Sequence, residues 1–353
     1  MRIQMTKDSL CCCVFFSKLK GRSILDNSNI HKAIMPSKPL TEATLPSGAS
    51  NPYIHAATSA NTRKAYQNDI HHFVSAGGLL PSSPDAIIRY LQTFADKLNP
   101  RTLVRRLTAI KHWHVYQGFA DPTAYPHVRK TLTGIMHVHG KPKQKAPALT
   151  SEQLVTMAQY MAQQNTLASL RNNALLQTGF FGAFRVSELT QIRVEDITFV
   201  PEGMEILIPR SKTDQNGEGQ HCAIPYGDPI LCPASAIKAW CEMAQIESGY
   251  LFREIDRHEN IGQNQLTHKS VGMILKAIAA ACGLPKAEEF SSHSMRRGFA
   301  TTASRKGAPF VAIMRHGRWR HEGTVLGYIE EGSRFETNAA QMIFQRDTEN
   351  TER

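Results

Sequence analysis

Apolar residues recur at helical spacing through most of this chain, and the pattern gives way once to two short extended stretches. Such a layout allows a mostly α-helical protein carrying a small antiparallel sheet. From Asn61 or Thr62, either able to cap a helix, Tyr66, Ile70 and Phe73 follow at i, i+4 and i+7, and Gly77-Gly78 ends the run. Ser83-Pro84-Asp85 opens a second helix, with proline in the first turn and an acid at the positive end of the dipole. Its stripe is Ile87, Leu91, Phe94 and Leu98. Asn99-Pro100 breaks it, a third helix carries Leu103, Leu107, Ile110 and Trp113, and a fourth, around Val128, Leu132 and Ile135, completes a four-helix unit. Thr150 and Gln153 are spaced for a capping box, and helical patterns follow at 151–164, 171–183, 233–245, 270–282, 294–306 and 308–315. Residues 204–209 and 220–225 read as strands joined by a polar loop containing the hairpin signal Asn216-Gly217.

Charge is unevenly spread. The net charge is +11, yet residues 1–150 hold 20 Lys and Arg against 7 Asp and Glu, while the remainder holds 21 against 23. The front half is therefore expected to meet a polyanion, nucleic acid before a membrane surface, because no helix leaves a bulky apolar face uncovered. Between Lys97 and Lys145 lie ten basic residues and one acid, Asp121. Solubilising helix faces normally mix signs, and this one does not. Arg101, Arg105, Arg106 and Lys111 on the polar side of the third helix are thus expected to contact DNA. So are Lys141, Lys143 and Lys145 in the extended linker 140–147.

Residues 1–53 lack periodicity and read as a disordered tail, with Met35 an alternative start. The seven cysteines, three of them adjacent at 11–13, form no disulfide framework and fit a reducing, intracellular setting. No apolar run approaches the ~18 residues of a membrane span. The triplet lacks the juxtamembrane context of a lipid site. His221, Cys222 and Cys232 are poorly spaced for zinc.

Three segments carry chemistry-bearing residues: Gly182-Ala183-Phe184-Arg185-Val186-Ser187-Glu188-Leu189, then His293-Ser294-Met295-Arg296-Arg297-Gly298, then His316-Gly317-Arg318-Trp319 with Tyr328 nine residues after the tryptophan. Each alone has a plain reading, such as a structural ion pair or a satisfied core histidine. Together, in this order, they resemble the tyrosine recombinases, the phage integrase family. Arg185 with Glu188-Leu189 matches the first box, Lys212 in Arg210-Ser211-Lys212-Thr213 the hairpin lysine, His293 and Arg296 the second box. Trp319 stands where many members have His and others Trp, and Tyr328 where they have the nucleophile. Ser59 to Asp69 is similar to the start of the family's DNA-clamping domain. The third box departs, reading Gly317-Arg318-Trp319 where many members read Leu-Gly-His, and His316 and His321 receive no catalytic role.

The resemblance implies a SAM-like helical DNA-clamping domain (54–139), the basic linker (140–149), an α+β catalytic domain of the DNA breaking-rejoining type (150–345) and a short tail (346–353). It implies site-specific cleavage and rejoining of duplex DNA by a cytoplasmic, nucleoid-associated tetramer acting on two sites. No cofactor, metal, membrane or small-molecule substrate is expected. Arg185 and Arg296 suit an anionic phosphodiester because guanidiniums offer fixed forked donors and keep their charge. Tyr328 must lose a proton as it attacks, with His293 as base or relay; Lys212 is the expected general acid, and Trp319 an indole donor to a phosphate oxygen. Glu188 is expected to orient a neighbour. Phe335, Ala339 and Met342 lie at helical spacing, and such a segment either docks into a neighbouring protomer, as in the family, or packs at home. A type IB topoisomerase and a DNA-binding regulator without catalysis are the alternative readings.

Overall fold

The computed structural model describes residues 57–142, 144–209, 219–332 and 340. The expectations for the tail 1–53, for Lys143, Lys212 and Asn216-Gly217, and for Phe335, Ala339 and Met342 lie outside those residues. The chain forms two compact units that divide between residues 143 and 144.

The first unit contains helices α1 (Ala60–Ser75), α2 (Pro84–Phe94), α3 (Pro100–Tyr116) and α4 (Pro126–His139). Ser83 and Asn99 cap α2 and α3 with their side chains, each ahead of a proline whose missing N–H leaves nothing unsatisfied. The cap of α1 is Ser59 rather than Asn61 or Thr62: its backbone is extended and its hydroxyl accepts from the Thr62 amide. The expected stripes converge on one core in which Phe73, Ile87, Leu91, Leu103, Ile110 and Val128 are fully buried. His114 is also buried. Its Nδ1 faces the Ile110 carbonyl at 2.8 Å and its Nε2 accepts from the Ser82 amide at 2.8 Å, which fixes the proton on Nδ1.

One face expected to meet solvent turns inward. Arg106 is buried, with Nε 3.5 Å from the buried Asp69 carboxylate and Nη1 donating to the Tyr90 hydroxyl at 2.9 Å. Arg105 forks onto the same carboxylate with two 2.8 Å bonds, though its side chain stays half exposed. Arg106 is thus not a free surface cation, because an otherwise buried acid on α1 requires it. Arg101 and Lys111 on α3, and Lys141 and Lys145 beyond α4, are exposed.

The second unit opens with the Thr150–Gln153 capping box, both halves formed, at the head of α5 (Ser151–Gln164). Next come α6 (Leu167–Phe181) and the short α7 (Val186–Gln191). Then β1 (Ile197–Val200), β2 (Gly203–Ile208) and β3 (Gln220–Pro225) form an antiparallel sheet in that order. Helix α8 (Pro233–Ala244), a small β4 (Arg253–Ile255)–β5 (Ile261–Gln265) hairpin, α9 (His268–Ala281), α10 (Ser292–Arg305), α11 (Phe310–Gly317) and α12 (Glu322–Gly332) complete it. Strands β1, β4 and β5 and helices α7 and α12 were not anticipated.

Helix α6 is buried on most sides, with Leu175, Leu176 and Phe180 in a core that Trp240 anchors by donating to the Leu251 carbonyl at 2.8 Å. Helix α10 runs past this core, and the incoming chain rests on it. The Leu149 amide donates to the Ser294 carbonyl at 3.0 Å, and a Cβ at Gly298 would stand 1.8 Å from the Leu149 oxygen. Only glycine admits that approach. Among the described residues no helix is long and apolar enough to cross a membrane.

Asp69→Asn should destabilise the first unit by about 3 kcal/mol, because it leaves the buried Arg106 without a formal counter-charge. A urea titration of the whole chain followed by far-UV circular dichroism measures this; an unshifted first midpoint would remove the ion pair from the unit's support.

Candidate active site

The site is built at the meeting of the α6–α7 turn, helix α10 and the α11–α12 connection. Helix α6 stops at Gly182, and Ala183 takes a left-handed conformation (φ 45°) although fully buried. This tight turn sets Arg185 at the N-cap of α7. Its backbone N–H donates to Glu188 Oε2 at 3.0 Å, and its Nη1 lies 2.5 Å from Oε1. Glu188 is itself buried, so the pair is partly shielded from water and holds the guanidinium in one orientation.

Arg296 enters from α10, one turn after the exposed His293. Its Nη1 donates to the Ala183 carbonyl, its Nη2 to the Gly317 carbonyl, and its Cζ lies 4.1 Å from the centroid of the Trp319 ring. Two of five N–H groups are thereby used, leaving others for a ligand. Burial, and after it the like charge of Arg185, lower its pKa to about 9. The cation is held by dipoles and a π face more than by a carboxylate.

Trp319 reaches this seat because α11 ends abruptly. Arg318 adopts φ 56°, the Trp319 amide closes back onto the Met314 carbonyl at 3.1 Å, and the indole lies flat against Gly317. Tyr328, half-buried on α12, meets Trp319 edge-on with ring centroids 6.3 Å apart. The Arg297 guanidinium stands over the same phenol ring, 5.4 Å from its centroid. Helix α12 is tied to α10 through backbone oxygens: Thr301 donates to the Tyr328 carbonyl at 3.1 Å, and Arg305 forks onto that of Gly332.

The structure therefore gathers Arg185, Arg296, Trp319 and Tyr328, and places His293 at the start of the helix that carries Arg296. His316 is a structural residue. Its Nε2 donates to the Phe181 carbonyl at 2.6 Å and its ring stacks on Phe299; burial lowers its pKa, against the opposing pull of the Phe181 bond. His321 is exposed. Sequence reasoning missed Arg297 and Arg318; the only hint of the latter was its place in the box that departs from the usual motif.

Residues 147–333 match the model of the phage integrase family. The chain is 37% identical over 295 residues to the integrase/recombinase xerD homolog of Selenomonas ruminantium, covering 81% of this chain and 86% of that protein. The chain belongs to the phage integrase family, the tyrosine recombinases. It is also 24% identical over 266 residues to the Cre recombinase of Escherichia phage P1, covering 70% of this chain and 76% of the relative. Among solved structures, the fold is similar to the XerH site-specific recombinase bound to palindromic difH substrate, in a post-cleavage complex. The TM-score there is 0.59 at 15% identity, over 83% of either chain. A lambda integrase dimer bound to a core site gives 0.55 at 15% identity, over 80% of this chain and 75% of that one.

Gly317→Ala should unseat the indole, because the new Cβ would stand 1.7 Å from Trp319 Cζ3. Overpacking of this kind costs about 1–3 kcal/mol. The expected result is a red-shifted emission component that disappears in a Trp319→Phe background; an unchanged spectrum would mean that the indole does not depend on the bare glycine.

Proposed function

We propose that Tyr328 attacks a phosphodiester of duplex DNA, forming a 3′-phosphotyrosine and releasing a 5′-hydroxyl, and that a 5′-hydroxyl from a partner strand then reverses the step. The juxtaposition of the phenol with Trp319, Arg296 and Arg185 carries this reading. An anionic phosphorus centre repels nucleophiles, and two preorganised guanidiniums in a partly dry site are the groups that offset that repulsion. Arg185 aims its fork through Glu188, and Arg296 through two carbonyls. Each keeps N–H groups for the non-bridging oxygens. Trp319 adds an indole donor and fixes the near edge of the phenol. The phosphate in turn supplies the counter-charge that Arg296 lacks.

The proton leaves Tyr328 with His293 as base or relay, and Lys212, between β2 and β3 in sequence, protonates the departing oxygen. Because the phosphotyrosine bond conserves the energy of the broken phosphodiester, rejoining requires no ATP. The unit of residues 57–142 holds the duplex with Arg101 and Lys111 on α3, and Lys141, Lys143 and Lys145 follow along the linker; Arg105 and Arg106 first serve Asp69. The solved recombinases that it resembles include DNA complexes and a dimer, which supports a multimeric assembly on DNA, here a tetramer on two sites, working at the nucleoid.

Tyr328→Phe should leave duplex binding nearly intact while abolishing covalent capture on a nicked duplex, read as loss of the denaturant-resistant adduct. An adduct persisting in that variant would sink the proposal. Lys212→Ala should slow cleavage by about 10²–10⁴-fold, the usual worth of a general acid. A substrate with sulfur in place of the bridging 5′-oxygen should restore most of that rate, because a thiolate leaves without a proton; no restoration would take the lysine out of that role.

A further inference from the structure

Arg318 stands in the one box that departs from its family's commoner motif, and its environment is unusual for an arginine. It occupies the left-handed position that ends α11, φ 56°, where glycine is the residue without steric penalty. Its side chain is nonetheless 5% exposed, and a buried guanidinium persists only where its charge and donors are met. Here the charge and both Nη groups are met, while Nε makes no hydrogen bond. Nη1 donates to the His316 carbonyl at 2.8 Å and Nη2 to the Gly182 carbonyl at 2.9 Å, with the Glu188 carboxylate 3.5 Å from Nη2. The Phe184 ring lies 4.8 Å from Cζ. The Cys222 thiol on β3 donates to the same Gly182 carbonyl, with Sγ 3.7 Å from the oxygen. The Arg318 side chain thus ties the α6–α7 turn to the end of α11.

Both ends of this residue reach Arg185. The Arg318 carbonyl accepts from Arg185 Nη2 at 3.4 Å, and the Arg318 guanidinium approaches the carboxylate that holds the rest of the Arg185 fork. With both Nη groups committed to protein oxygens, Arg318 is not arranged as a phosphate ligand. We propose that Arg318 is a positioning residue for strand cleavage, a two-ended brace that sets the direction of Arg185 through Glu188 and through its own carbonyl. This rests on the catalytic reading of Tyr328 and Arg185 given above. Its charge also acts on Arg296, lowering that group's proton affinity alongside Arg185.

Glycine separates the two ends of the brace, because Arg318→Gly keeps the carbonyl and suits the left-handed backbone while deleting the guanidinium. The experiment is single-turnover covalent capture on a nicked duplex at saturating protein, with the dissociation constant measured separately. Arg318→Gly should lower the capture rate by about 10–100-fold, the scale of a misplaced catalytic group, with duplex affinity within about twofold of wild type. Arg318→Lys, which keeps a charge near Glu188, should recover part of the rate. Glu188→Gln should be slow as well, and the double variant Arg318→Gly/Glu188→Gln about as slow as the slower single one, since both act through one path. Should the glycine variant fail to show a cooperative melt, Arg318→Gln carries the same comparison. Wild-type capture by the glycine or glutamine variant, or independent multiplication of the two defects, would overturn the assignment. Absence of any adduct in the wild-type protein would instead overturn the reading of Tyr328.

Discussion

The site depends on a buried cation whose nearest direct partners are not acids. Arg296 lies inside the second unit with two main-chain oxygens, from Ala183 and Gly317, and an indole face against it. Those oxygens belong to segments about 130 residues apart in sequence, so the guanidinium fastens the first box to the third as the fold closes. Dipoles and a π face compensate a buried charge only in part. The remainder appears as a lowered proton affinity, which in the proposed reaction an incoming phosphodiester restores. Binding of the scissile group and completion of the site's electrostatics are in this sense the same event.

Backbone strain sits where this fastening occurs. Ala183 and Arg318 are both left-handed without being glycine, and each carries or borders an oxygen that accepts from Arg296. Conformations of this kind persist where the surroundings over-determine them. At Ala183 the α6 terminus and the Arg296 bond do so; at Arg318, the closed end of α11 and four protein partners. The two turns deliver Arg185 and Trp319, and both act on the Arg296 guanidinium.

Much of the architecture was legible in the sequence because helical stripes, prolines and caps act locally: the Thr150–Gln153 capping box forms as its spacing implied, and the Ser83-Pro84 and Asn99-Pro100 boundaries fall where α2 and α3 begin. Short strands were harder. β1, β4 and β5 run three to five residues, too few for alternation to rise above the background. Helix α12 hid behind Gly323 and Gly327, which lower its propensity although tertiary bonds hold it. In the site, residue types and order pointed to Arg185, Arg296, Trp319 and Tyr328, yet nothing in the string of letters says that Arg106 turns inward to Asp69 or that Arg318 is buried. Both depend on partners 37 and about 130 positions away. Polarity alone predicts exposure for an arginine, and only the fold reveals the acid that reverses it.

Two of the ties that hold α12 against α10 take hold of main-chain oxygens, at Tyr328 and Gly332. Every amino acid offers that same oxygen. The outward positions around Tyr328, Leu326 and Glu330 among them, are therefore free to drift without loosening these two ties. A lineage can rewrite the surface beside the Tyr328 phenol, and with it the company the protein keeps, while the phenol stays where it is.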